Sequence, residues 1–327
     1  MKYNPALDGL RAIAVLLVVA VHTHVPGLAG GYVGVEIFFV LSGYLITSIL
    51  LAEHERTGRI AIGAFYWRRA LRLYPALLLL LAAYLALAPL AWPGKPHGRD
   101  ALITGLYLSD YAVSFWNVPQ YLSHTWSLAA EEHFYLLWPL LLVAMLRKPL
   151  PQACRYVALL TVAAWLWQVY NMTQGTMGFR FDTRAVGMFA GCWLAFAMRL
   201  GSLKRTRPDM AAAVGVALLV PLMFAETRFP LPLAELAGAC LIVGAAHLPL
   251  THPALVWLGK LSYGVYLWHF PLAKAINPLL PWPAGLAVVF VLSVGAAWVS
   301  FNTVEVVARR YRHLSSSCIP DSSPLAP

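Results

Sequence analysis

The chain has 327 residues, of which 60% are hydrophobic and 12% charged, with a net charge of +10 and a mean hydropathy of +0.67. Soluble domains carry about 25% charged residues, so these proportions exclude an ordinary water-soluble domain and leave no room for a sizeable extramembrane one. Nor does the charge indicate nucleic acid as a partner, because the basic residues form short clusters between apolar runs, as cytoplasmic loops do under the positive-inside rule.

Apolar runs succeed one another at roughly 10–26, 31–52, 72–91, 101–115, 130–146, 155–171, 183–199, 210–225, 232–248, 260–277 and 284–304. The first is expected to be a retained helix and not a signal peptide. Asp8 and Arg11 stand at its start, His22 and His24 interrupt it, and no A-x-A site follows. The run at 101–115 is short and carries Asp110, whereas a crossing helix needs ~20 residues. If it enters and returns, the remaining runs give about ten crossings. Then Arg68, Arg69 and Arg72, next Arg147, Lys148 and Arg155, next Arg199, Lys204, Arg205 and Arg207, and last Arg309, Arg310 and Arg312 all fall on the cytoplasmic side. The opposite loops, 26–30, 92–100, 173–182, 226–230 and 277–283, are poorer in basic residues. The expected fold is therefore all-α and integral to the membrane, with about ten transmembrane helices, one short re-entrant or partial segment and both termini cytoplasmic. Residues 1–312 form the transmembrane domain, and the Ser- and Pro-rich stretch 313–327 reads as a disordered cytoplasmic tail. Cys154, Cys192, Cys240 and Cys318 are widely spaced, so neither a disulfide framework nor a metal site is expected.

Ionisable groups inside a membrane are costly and point to function. Arg11 and His22 are eleven residues apart, which places them about 20° apart on one helix face with ~16 Å of rise between them. They could form a charged channel wall. Equally, Arg11 could snorkel to lipid phosphate and His22 bond a backbone carbonyl. The short turn Pro26-Gly27-Leu28-Ala29-Gly30-Gly31 makes the first two helices antiparallel neighbours, and His22 and Glu36 stand seven residues either side of its centre. A carboxylate at matched depth would fix the imidazole's tautomer and raise its basicity, or form a structural ion pair.

Several words resemble the acyltransferase-3 family of bacterial membrane proteins, which O-acylate envelope sugars and some small molecules. They are Leu7-Asp8-Gly9-Leu10-Arg11-Ala12-Ile13-Ala14 with His22, and Gly34-Val35-Glu36-Ile37-Phe38-Phe39-Val40-Leu41-Ser42-Gly43-Tyr44-Leu45-Ile46-Thr47. Phe65-Tyr66-Trp67-Arg68-Arg69-Ala70-Leu71-Arg72-Leu73-Tyr74-Pro75 is similar to the family's arginine segment. His124-Thr125-Trp126-Ser127-Leu128-Ala129-Ala130-Glu131-Glu132-His133-Phe134-Tyr135 is similar to its SLxxExxFY segment, with His133 where glutamine is usual. Ser262-Tyr263-Gly264-Val265-Tyr266-Leu267-Trp268-His269-Phe270-Pro271-Leu272 resembles its tenth helix. The last family word departs: Val304-Glu305-Val306-Val307 stands where a Glu followed two residues later by Pro is expected. The resemblance implies a stand-alone form without the SGNH domain fused to some members.

It also implies an acyl-CoA donor, with acetyl-CoA as the default, a carbohydrate or lipid-linked glycan acceptor, and residence in the bacterial cytoplasmic membrane. On that basis His22 is the expected general base with Glu36 as its orienter, or His22 briefly carries the acyl group. Arg68, Arg69 and Arg72 are expected to hold the CoA phosphates, or else serve topology alone, and Arg11 could hold the pantetheine end or the pyrophosphate. Glu131 could bind sugar hydroxyls or share the proton. Ser127 reads as a helix cap, and Arg184 as a contact to an acidic sugar. Tyr263 and His269 are possible supporting residues, His269 as core or as catalytic. A transporter of sugar, lipid or ion would also place charges mid-membrane, but it has no reason to share these ordered words. A purely structural scaffold gains nothing from Arg11, His22 and Glu36 inside the membrane.

Overall fold

The computed structural model describes residues 3–225, 231–308 and 311. The loop 226–230, Arg309, Arg310, Arg312, Cys318 and the tail 313–327 lie outside the described residues. Among the described residues there are helices and turns and no strand.

Helix α1 (Pro5–His22) opens with Asn4 accepting from the Ala6 amide at 3.1 Å and Pro5 in its first turn. It stops at His22 because Thr23 Oγ1 folds back to donate to Val19 O at 2.9 Å and His24 turns away with a φ of 57°. Then come α2 (Val33–Thr57) and α3 (Ile62–Ala91). The run 101–115 is not one helix but two, α4 (His97–Gly105) and α5 (Ser109–Trp116), broken where Tyr107 takes a φ of 53°. At ~13 Å each, neither reaches across a hydrocarbon core of ~30 Å. A 3-10 turn at Ser123–Thr125 leads into α6 (Trp126–Met145), followed by α7 (Leu150–Thr173). The run 183–199 divides into a single turn, α8 (Phe181–Arg184), and α9 (Val186–Arg199). The chain closes with α10 (Pro208–Phe224), α11 (Leu231–Gly244), α12 (Pro253–Ile276) and α13 (Trp282–Asn302).

By length and composition, five described segments can cross a membrane: Pro5–His22, Val33–Thr57, Ile62–Ala91, Ser123–Met145 and Trp282–Ala308. Shorter apolar helices occupy Val186–Arg199, Pro208–Phe224 and Leu231–His247. Helix α12 is 24 residues long but carries Lys260, His269 and Lys274. Large apolar side chains such as Leu90, Leu159, Leu166 and Val291 face outward, the surface that lipid covers in a membrane protein.

Helix α1 lies between α2 and α12, α2 packs on α9 and α11, and α12 packs on α13. At the α2–α9 crossing the two backbones touch. A Cβ on Gly43 would lie 1.8 Å from Met188 O, and one on Gly191 would lie 2.1 Å from Val40 O. Small residues at a crossing allow this approach in a membrane bundle, where van der Waals packing drives helix association. Beside this crossing Arg184, just ahead of α9, meets Glu36 of α2.

Gly191→Ala should therefore lower the thermal unfolding midpoint in detergent, by the ~1–3 kcal/mol of an overpacked core. Gly295→Ala on α13, where a Cβ meets nothing within 4 Å, should be neutral or stabilising, as helix propensity alone dictates. Equal midpoints for the two variants would contradict the close crossing.

Candidate active site

Two cavities lie along α1. The larger, about 730 Å³, is lined by His22, Glu36, His124, Arg184, Lys274 and Asn277 among others. The smaller, about 90 Å³, is lined by Arg11, Ser42, Arg69, Arg72, Glu131 and Lys260 among others. Val35 and Tyr266 line both, so these two side chains form the partition between them.

His22 is the last residue of α1, and its Nδ1 lies 2.9 Å from Val18 O. A carbonyl only accepts, so Nδ1 carries the proton and Nε2 keeps its lone pair. His269 Nδ1 is tied in the same way to Tyr266 O at 2.6 Å, which leaves its Nε2 as an acceptor 3.2 Å from His22 Nδ1. The His22 N–H is thus shared between Val18 O and His269. His124 donates from Nε2 to Leu267 O at 3.1 Å, and its buried Nδ1 has no partner. Phe270 packs among the rings, stacked on His124 at 4.8 Å and edge-on to His22 at 4.9 Å. Asn277 Nδ2 donates to His22 O at 2.8 Å, fastening the end of α12 to the end of α1.

Glu36 lines the same cavity as His22 but is not its orienter. Its Oε1 accepts from Arg184 Nη1 at 3.0 Å, and both side chains are buried. The other oxygen, Oε2, is buried with no partner. The Arg184 guanidinium also sits 4.9 Å over the Trp126 ring. A buried guanidinium competes successfully for a carboxylate against a neutral imidazole, because the bond is charge-assisted on both sides. The role expected of Glu36 is met by Val18 O and His269. Behind the pair, Gln168 Nε2 donates to the buried Glu235 Oε1 at 3.0 Å.

On the other side of the partition, Glu131 accepts from both Ser42 Oγ and Tyr135 OH. The Arg69 guanidinium stacks 3.7 Å from the Tyr135 ring centroid. Arg11 lies 3.8 Å from Asp8, and Lys260 completes the cationic wall from α12. Arg68 is not part of this wall; it pairs with Glu53 at 3.5 Å. Arg68 and Arg69 are adjacent on α3 and point 100° apart, so the helix that presents one to the cavity turns the other away.

Ser127 is not the cap of α6. It is the second residue of that helix, and Thr125, the residue before the helix, makes no side-chain cap bond. Tyr266 OH donates to His124 O at 2.8 Å, and Ser127 Oγ lies 2.6 Å from the same phenol oxygen, its hydroxyl the donor. Tyr263 OH donates to Leu73 O at 2.9 Å, joining α12 to α3 while lining the smaller cavity. Sequence reasoning missed Ser42, His124, Tyr135, Lys260, Tyr266 and Lys274 as site residues. The first five lie within or beside the motif words, so the signal was present, but their partners are far away in sequence.

Among the described residues no group of three or more His, Cys, Asp or Glu side chains is placed to hold a metal ion. Comparison with known proteins matches residues 4–302 to the family model described as an acyltransferase domain. The chain is 32% identical to the peptidoglycan O-acetyltransferase OatA of Listeria monocytogenes, over 94% of this chain and 56% of that protein. It is 33% identical to the O-acetyltransferase OatA of Staphylococcus aureus, over 84% of this chain and 51% of that protein. The chain thus spans about half the length of the curated relatives it matches. No solved structure matches. The ordered words of α1, α2, α3, α6 and α12 line two cavities that share Val35 and Tyr266, the family model covers nearly all of the chain that contributes to them, and the chain belongs to the acyltransferase-3 family.

Proposed function

We propose that the chain is a membrane O-acyltransferase that moves an acetyl group from cytoplasmic acyl-CoA to a hydroxyl of an envelope glycan. The observation that carries this reading is the meeting of two unlike cavities at Tyr266 and Val35. One is walled by Arg11, Arg69, Arg72 and Lys260, and suits the phosphates of CoA. The other holds an imidazole whose unprotonated nitrogen can take a hydroxyl proton. In this reading about ten segments cross the membrane, both termini are cytoplasmic, and residues 1–312 are the catalytic domain. The Arg11 cavity then faces the cytoplasm, where acyl-CoA is made, and the His22 cavity faces the envelope. The printed names of the relatives, both O-acetyltransferases and one a peptidoglycan O-acetyltransferase, favour acetyl as the group and a glycan as the acceptor.

In the reaction, His22 Nε2 removes the proton of the acceptor hydroxyl while its oxygen attacks the thioester carbonyl carbon. The C–S bond then breaks, and the proton passes from Nε2 to the leaving CoA sulfur. A route through an acyl-His22 would use the same nitrogen. Val18 O and His269 hold the other nitrogen protonated and stabilise the imidazolium that forms. Glu131 lies on the donor side of the partition with Ser42 and Tyr135, close to where the thioester would enter.

His22→Ala should lose acetyl transfer by the 10²–10⁴-fold that a general base contributes, while the protein still inserts and accumulates. Glu36→Gln should cost less turnover than His22→Ala. It should instead lower the unfolding midpoint, because it leaves the buried Arg184 charge uncompensated. Turnover of His22→Ala above about a tenth of wild type would remove His22 as the base.

Binding of CoA to purified protein tests the donor site. Arg11→Ala, Arg69→Ala, Arg72→Ala and Lys260→Ala should each weaken CoA, at ~1.5–3 kcal/mol per lost charge-assisted bond. That is roughly tenfold to more than a hundredfold. Arg68→Ala, whose partner is Glu53, should bind CoA as wild type does. Unchanged affinity across the first four variants would sink the donor-site assignment.

A further inference from the structure

We infer that Lys274 is an anion-binding subsite for the acceptor, so that the sugar taken by this cavity carries a carboxylate or phosphate close to its reacting hydroxyl. This rests on the reading of the His22 cavity as the acceptor site.

Tyrosines aside, the ionisable residues lining the larger cavity, among the described residues, are His22, His24, Glu36, His124, Arg184 and Lys274. Glu36 and Arg184 neutralise each other at 3.0 Å. Of what remains, Lys274 is the one ammonium, the other three being imidazoles. No carboxylate among the described residues lies within 4.0 Å of its ammonium. The ammonium lies 5.2 Å from the centroid of the Phe270 ring. The contact sequence analysis expected Arg184 to make with an acidic sugar therefore falls to Lys274, since Arg184 is buried on Glu36.

The geometry relates this cation to the base. Phe270 meets the Lys274 ammonium at 5.2 Å and the His22 ring at 4.9 Å, so ammonium and imidazole are at most about 10 Å apart. One monosaccharide with its substituents spans that interval. The relation is also fixed, because Asn277, one turn beyond Lys274 on the same helix end, donates to His22 O at 2.8 Å. An anion held by Lys274 would bring a hydroxyl of the same sugar to His22 Nε2, with the Phe270 ring beneath the sugar's apolar face. Helix α12 then presents one cation to each cavity. Lys260 and Lys274 are 14 residues apart, ~21 Å along the axis and near one face, with the partition residue Tyr266 between them.

The test uses full-length protein in phosphatidylcholine nanodiscs and two tetrasaccharides. One alternates N-acetylglucosamine with N-acetylmuramic acid and keeps its lactyl carboxylates; the other is chitotetraose, which has the same N-acetylhexosamine backbone without them. Wild-type protein should bind the acidic glycan about tenfold more tightly, the effect of one charge-assisted contact. Added salt should erode the preference. Lys274→Ala should bind both glycans alike, and Lys274→Arg should keep the preference. Wild-type protein without a preference, or a preference that survives Lys274→Ala, would overturn the assignment. Discs containing phosphatidylglycerol separate the other source of phosphate. A preference unchanged in them supports the acceptor subsite, and one erased in them means that a lipid headgroup holds Lys274 and overturns it. Acetyl transfer in the same discs is read separately. Selective binding that depends on Lys274 but yields no acetylated glycan would count against the proposed reaction and not against the subsite.

Discussion

A polar group that leaves water for the interior of a helical bundle must find a partner or a cavity, because hydrocarbon offers neither donors nor acceptors. That constraint arranges the centre of this protein. Glu36 and Arg184 meet at 3.0 Å, Glu131 takes two hydroxyl donors, and each of three buried or half-buried histidines gives one N–H to a main-chain carbonyl. The last of these has a chemical consequence. A carbonyl partner fixes which imidazole nitrogen is protonated, so the bond that satisfies His22 within α1 is also the one that leaves Nε2 able to accept a proton. The same contact that makes a histidine tolerable near the end of a membrane helix prepares it as a base.

The partition follows from the same rule. Tyr266 carries a hydroxyl among apolar neighbours, and it is satisfied by His124 O and Ser127 rather than by solvent. Standing between the cavities together with Val35, it separates a wall of cations from the His22 imidazole. Arg11 and His22 thus stand on one helix, α1, with Arg69, Arg72 and Lys260 on the Arg11 side of that phenol.

Much of this was legible in the sequence. The eleven apolar runs correspond to helices, the short glycine-rich turn makes α1 and α2 neighbours, and the run 101–115 is interrupted as its length and Asp110 suggested. His22 and Glu36 do line one cavity. What the sequence left hidden were partners far along the chain. Arg184 reaches Glu36 across 148 residues, His269 reaches His22 across 247, and Tyr266 reaches Ser127 across 139. Depth can be counted from a turn, but the phase of one helix against a third cannot. Arg68 and Arg69 read alike as a basic cluster, and only their positions around α3 send one to Glu53 and the other to the cavity. Lys260 and Lys274 were read past for a related reason: a lysine toward either end of a membrane helix has topology as its ordinary explanation.

The central claim is that donor and acceptor occupy opposite ends of one path through the bundle. Proteoliposomes that enclose acetyl-CoA, with the glycan acceptor supplied only outside, test it most directly. The account predicts acetylated glycan in the outer medium from molecules whose His22 cavity faces outward, and none when His22→Ala protein is used. Product that forms only when acetyl-CoA and glycan share one side of the membrane would contradict it.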